Sequence, residues 1–131
     1  MESVSQLHSD PILTFNISPD GQSILTGSAD EYISKLSLNV DPKSSAGIIK
    51  LPNKGTSSLE YRSDGKVIAS AHWDHTVRLF DRKKFKPLVV LRQHRDIVNV
   101  VTFQSDSSLF ASASKDGTIA LWDLFSDSFR L

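Results

Sequence analysis

The 131-residue chain carries 15 basic and 15 acidic side chains, so no net field draws it toward nucleic acid or an anionic membrane. Without cysteine it has neither a disulfide frame nor a thiolate metal site, which fits an intracellular protein. No apolar run is long enough to cross a membrane as a helix, and residues 1–7 carry no secretory signal.

In chain order, residues 12–17 (Ile-Leu-Thr-Phe-Asn-Ile) are apolar with β-branched positions and predict a strand. The turn Ser18-Pro19-Asp20-Gly21 follows, in which Asp and Ser side chains bond their own backbone and Gly accepts positive φ. A strand over 24–28 ends in small residues, a tight turn opens at Asp30, and residues 32–38 alternate as a third strand. Residues 47–51 supply a fourth. The same order returns with 58–61, a turn at Asp64, 67–71, a tight turn at Asp74, 76–80 and 88–91. It returns again with 97–103, a turn at Asp106, 109–114, the hairpin signal Asp116-Gly117, and 118–122. No helix of useful length is predicted, so the fold class is all-β.

The aspartates measure the repeat. Asp30 to Asp74 spans 44 residues and Asp74 to Asp116 spans 42, and each follows the earlier turn aspartate by ten. A period of this length with four strands per unit is that of a propeller blade. The expected units are blade one over 8–52, blade two over 53–93, and blade three over 94–124 without its outer strand, residues 125–131 being polar and turn-like. A blade cannot bury its faces alone. Three blades fall short of a propeller's four to eight. The chain is therefore expected to be the C-terminal part of a longer ring, completed by segments outside this sequence or by oligomerisation.

Thr118-Ile119-Ala120-Leu121-Trp122-Asp123, with Asp116 six residues before Trp122, resembles the end of a WD repeat. His94 lies 22 residues before Asp116 and His8 lies 22 before Asp30, where such repeats carry a histidine, although Gln93 and Leu7 stand where a glycine would precede it. The resemblance spans three units, with Leu79-Phe80-Asp81 replacing Trp-Asp in the second and Leu36-Ser37 in the first. It implies a seven-bladed ring and a hydrogen-bonded tetrad within each blade. Blade three holds all four members: His94, Ser112 (or Ser114 on the same face), Asp116 and Trp122. Blade one keeps His8, Thr26 and Asp30, and blade two keeps Ser70 and Asp74. A carboxylate in a tight turn needs donors where water is excluded, and imidazole, hydroxyl and indole can supply them. The set is thus read as structural, not as a nucleophile–base–acid site.

His72-Trp73-Asp74-His75 packs two imidazoles and a carboxylate into four residues. Asp74 is explained by the repeat, and His72 and Trp73 face opposite sides of an extended strand, so no metal site is expected. Trp73 lies beside the tight turn, where WD propellers bind partners. It is a candidate anchor with His72, His75 and Arg95; packing against the neighbouring blade is the rival account. The cluster Arg78, Arg82, Lys83, Lys84 and Lys86 reads as a solvated outer hairpin, with Lys protecting an edge.

Blades two and three are also similar to one narrower WD-repeat family, that of ASTRA-associated protein 1 and guanine nucleotide-binding protein β-subunit-like protein 1. The similarity rests on Ala71-His72-Trp73-Asp74-His75-Thr76-Val77-Arg78, Lys86-Pro87-Leu88 and Ser114-Lys115-Asp116, with Gly27-Ser28-Ala29-Asp30 in blade one. It implies a non-enzymatic adaptor in a multi-subunit protein complex, without a cofactor and without direct contact with nucleic acid or membrane. A place in the nucleus or cytoplasm, in the cochaperone machinery that matures phosphatidylinositol-3-kinase-related kinases or in chromatin-associated assemblies, follows from the same resemblance. A reader of peptides such as histone tails and a G-protein β-like signalling adaptor are the alternatives. A propeller enzyme is disfavoured because the repeat already explains nearly every Asp and His of interest.

Overall fold

The computed structural model describes residues 5–38, 47–105 and 108–124. Eleven strands are found there: β1 Ile12–Ile17, β2 Ser23–Ser28, β3 Tyr32–Ser37, β4 Gly47–Lys50, β5 Thr56–Tyr61, β6 Val67–His72, β7 Val77–Asp81, β8 Lys86–Leu91, β9 Val98–Phe103, β10 Leu109–Ser114 and β11 Ile119–Asp123. They form three antiparallel sheets, β1-β2-β3-β4, β5-β6-β7-β8 and β9-β10-β11, each an up-and-down meander. The Asp106 turn and the expected lack of a strand over 125–131 lie outside the described residues.

The turns have the chemistry that the repeat implies. Gly21 and Gly65 both hold φ 73 where Ser18-Pro19-Asp20 and Arg62-Ser63-Asp64 fold back, and the Gly21 and Gly65 amides donate to the Ser18 and Arg62 carbonyls. Each inner strand opens on a register shift at a matching place: between Ile12 and Thr14, between Thr56 and Ser58, and beside Ala113/Ser114 on the partner of β9. An extra residue there increases the local twist. Pro87 lies on β8, the outer strand of its sheet, where its missing N–H faces no further ladder.

The sheets stack face to face, and two apolar clusters fill the gaps. Between sheets one and two, Leu25, Ile33, Ile49 and Leu51 meet Leu59, Tyr61, Ile68 and Phe80. Between sheets two and three, Ala69, Ala71, Val77, Leu79 and Leu91 meet Val98, Val101, Phe110 and Trp122. The small Ala69 and Ala71 make room for the stacked Phe110 and Trp122 rings, whose centroids lie 6.2 Å apart. Gly27 is needed where sheet one approaches sheet two, since a Cβ there would lie 2.6 Å from the Thr56 methyl.

Alternation along each strand leaves a second face on the end sheets. On sheet one, Leu13, Phe15, Ile17 and Ile48 are exposed; on sheet three, Val100, Ile119 and Leu121 are. Groups this apolar are uncommon in contiguous rows on a monomer surface.

Candidate functional site

The internal polar clusters decide which side chains are left for a partner. In sheet three the Trp122 indole N–H donates to Ser112 Oγ at 2.9 Å, and Ser112 Oγ lies 2.7 Å from His94 Nε2. His94 Nδ1 then stands 3.1 Å from Thr118 Oγ1 and 3.4 Å from Asp116 Oδ2. Thr118 Oγ1 donates to Asp116 Oδ1 at 2.5 Å. The indole is donor-only and the carboxylate acceptor-only. One polarity satisfies every member: Ser112 O–H gives to Nε2, and a proton assigned to Nδ1 points at Thr118 and Asp116. First the Thr118 hydroxyl and then the Arg95 amide hold the Asp116 carboxyl well below its usual range.

Thr118 was missed by the sequence reading, although the signal is present: a threonine follows the tight-turn aspartate by two residues in Asp74-His75-Thr76 and in Asp116-Gly117-Thr118. Ser114, the alternative hydroxyl, does another job. It accepts from the Asp116 amide at 3.1 Å and donates to the Ile97 carbonyl at 2.9 Å.

Sheet one makes the same link without the indole. His8 Nε2 lies 2.8 Å from Thr26 Oγ1, and His8 Nδ1 lies 3.0 Å from Asp30 Oδ2. Asp30 is 1% exposed. Burial pushes its carboxyl up, but the Tyr32 amide, the His8 ring and the Ser9 amide outweigh this and keep it below the ordinary value.

Sheet two departs from the sequence reading. It lacks a histidine at the place of His8 and His94, and His72, expected on the partner-facing turn, turns inward to fill that role. Its ring is 2% exposed, with Nε2 at 2.6 Å from Ser70 Oγ and Nδ1 at 3.3 Å from Thr56 Oγ1. His72 occupies the strand position of Ser28 and Ser114, so the ring arrives from β6 itself. The physical reason is the buried Ser70 hydroxyl, which needs a partner. Burial pushes the His72 ring down to about 4, against the pull of Asp74. Asp74 instead takes the Thr76 hydroxyl at 2.5 Å and Asn53 Nδ2 at 3.1 Å, with Arg78 at 3.4 Å. His72 is thus withdrawn from the candidate partner surface.

Ser112, His94 and Asp116 resemble a hydrolase triad in type only. Ser112 is 1% exposed and its oxygen is bonded on both sides, so no substrate carbonyl can reach it.

Trp73, His75 and Arg95 remain exposed at the end of the sheets that carries the tight turns. Trp73 is 39% exposed. It is held on the inside: its amide donates to the Gly55 carbonyl, and its ring covers Gly55 (φ 101) so closely that a Cβ there would lie 2.1 Å from it. His75 holds φ 73, which fixes the turn beside it. Arg95 leads with its amide, which bonds Asp116 Oδ2 at 2.8 Å and leaves its side chain outside.

The family model described as WD domain, G-beta repeat matches residues 2–34, 48–81 and 85–123. ASTRA-associated protein 1 of Schizosaccharomyces japonicus is 31% identical over 92% of this chain and 33% of its own length. Guanine nucleotide-binding protein subunit beta-like protein 1 of Mus musculus is 34% identical over 90% of this chain and 36% of its own. DDB1- and CUL4-associated factor 10 of Xenopus tropicalis is 37% identical over 66% of this chain and 19% of its own. The chain thus spans about a third of the length of the first two. A structure of U3-55K superposes with a TM-score of 0.85 at 19% identity, covering 96% of this chain and 39% of that one, which shows a common fold. With three units matched over most of its length, the chain belongs to the WD-domain, G-beta repeat family.

Proposed function

We propose that this chain is part of a non-catalytic WD-repeat scaffold that docks a protein partner on its tight-turn end. The observation that carries the reading is a division of labour. The buried histidines and the described tight-turn aspartates are engaged in the blades' own hydrogen bonds, while Trp73 stands half out of the surface on a fixed backbone. A large aromatic on a rigid base loses little entropy when a partner covers it.

The similarity to ASTRA-associated protein 1 supports a multi-subunit setting, and cochaperone-assisted maturation of phosphatidylinositol-3-kinase-related kinases is the assembly we infer, in the nucleus or cytoplasm. The open apolar faces support a larger ring. Sheet one shows the face by which sheets two and three receive a preceding blade, and sheet three shows the face by which sheets one and two receive a following one. We infer that further blades cover both.

The test is affinity purification of the full-length protein carrying Trp73→Ala with His75→Ala. Loss of cochaperone and kinase subunits is expected while the melting curve still shows a cooperative folded transition. Undiminished recovery of those subunits would overturn the reading. Capture of histone-tail peptides in their place would replace it with peptide reading.

A further inference from the structure

At the opposite end of the blades, a groove of about 620 Å³ runs between sheets one and two, lined by Lys35, Lys66, Arg82 and Lys83 together with Asp64 and Asp81. Its floor is built across the two blades. Arg82, from the β7–β8 turn, donates to Asp20 Oδ2 of blade one at 2.7 Å, and its guanidinium lies 6.0 Å over the Tyr61 ring. Phe85, at φ 52 in the same turn, lies against Gly47 of blade one, where a Cβ would meet its ring at 3.1 Å. The Lys35 ammonium stands 4.9 Å over that ring.

The carboxylates of this region are already engaged. Asp20 accepts from Ser18 and Arg82, Asp64 from Arg62 and the Lys66 amide, and Asp81 from the Lys84 amide. Lys35 makes no ion pair among the described residues, and an aromatic face offers an ammonium less than a carboxylate does. Burial, then the nearby Arg82, holds Lys35 below its ordinary value, a penalty that an incoming anion would relieve.

We propose that this groove binds an acidic peptide segment, one phosphoryl or carboxylate group of which meets the Lys35 ammonium while Lys66 and Lys83 on the rim take its neighbours. Nucleic acid fits less well. Tyr61 is buried beneath the Arg82 guanidinium and offers no stacking face for a base. This site is separate from the Trp73 surface and does not depend on it.

The test is fluorescence anisotropy with a labelled decapeptide rich in glutamate carrying one phosphoserine, beside its glutamate-only and all-glutamine counterparts. Binding of the acidic peptides but not the glutamine one is expected. Lys35→Met, which keeps the stem over Phe85, should weaken binding about tenfold, while Lys35→Arg retains most of it. Lys66→Gln and Lys83→Gln should each cost about threefold, and Lys115→Gln at the other end nothing. Preference for the phosphorylated peptide, with competition by inorganic phosphate, would identify a phosphoryl group as the anchor; equal binding would identify a carboxylate. Failure of both acidic peptides to bind, loss through Lys115→Gln as large as through Lys35→Met, or tighter binding of an oligothymidine would overturn the proposal. Melting curves of each variant keep loss of fold apart from loss of the site.

Discussion

Blades two and three solve one problem by different routes. Each must bury a serine hydroxyl, Ser70 or Ser112, at the centre of its sheet, and each gives that hydroxyl an imidazole. In blade three the ring comes from His94, ahead of the first strand, and an indole closes the cluster on the far side. In blade two the ring comes from His72 on the same strand as the serine. At the tryptophan position, Phe80 pairs with Ile68 as Trp122 pairs with Phe110, but it brings no donor. The difference teaches that the fold requires a partner for the buried hydroxyl, and the chain position that supplies it is negotiable. It also has a consequence at the surface: blade two spends a residue of its turn region on its interior, so Trp73 and His75 are what it can present outside.

The largest expected effect breaks the blade three cluster. Trp122→Ala removes a buried indole and its bond to Ser112, and should cost about 3–5 kcal/mol. Equilibrium denaturation measures it, and a loss far below that range would mean that Trp122 is not anchored as described. Next is the proton linkage of blade two. The unfolded His72 titrates near 6.5 and the folded ring near 4, so between these values the unfolded chain takes up the proton that the folded one refuses. Stability from this group is full above pH 6.5, falls as the pH drops, and the loss is complete near pH 4, amounting to on the order of 3 kcal/mol. Denaturation midpoints across that window should show the slope in the parent chain and a flatter line in His72→Gln. A parent profile as flat as the variant's would show that His72 is not held neutral. The smallest effect sharpens the comparison. Trp122→Phe gives blade three the aromatic of blade two while Ser112 keeps His94, so the loss should be about 1 kcal/mol. A loss as great as that of Trp122→Ala would show that the indole N–H, and not the ring, dominates.

Much of this was legible because it is local. Strands over 12–17 and 109–114 emerge where the apolar pattern places them, and Ser112 with Trp122 follows from a hairpin register that Asp116-Gly117 sets. The role of Thr118 was readable in principle from its recurrence after the aspartate. The inward turn of His72 was not, because alternation places its Cβ without saying whether an empty site awaits the ring. The Arg82–Asp20 pair joins residues 62 apart and belongs to no strand pattern, so the cluster that reads as a solvated hairpin also holds two blades together.

The repeat of turn aspartates, small-residue strands and alternating third strands by itself determined an all-β chain of successive blades, because turn chemistry and pleat period act within a few residues. Tertiary structure alone decided which imidazole serves the second blade, and that Arg82 and Phe85 of its outer turn meet Asp20 and Gly47 of the first. Those outcomes depend on what the neighbouring sheet places opposite each side chain, at separations in sequence that no local preference spans.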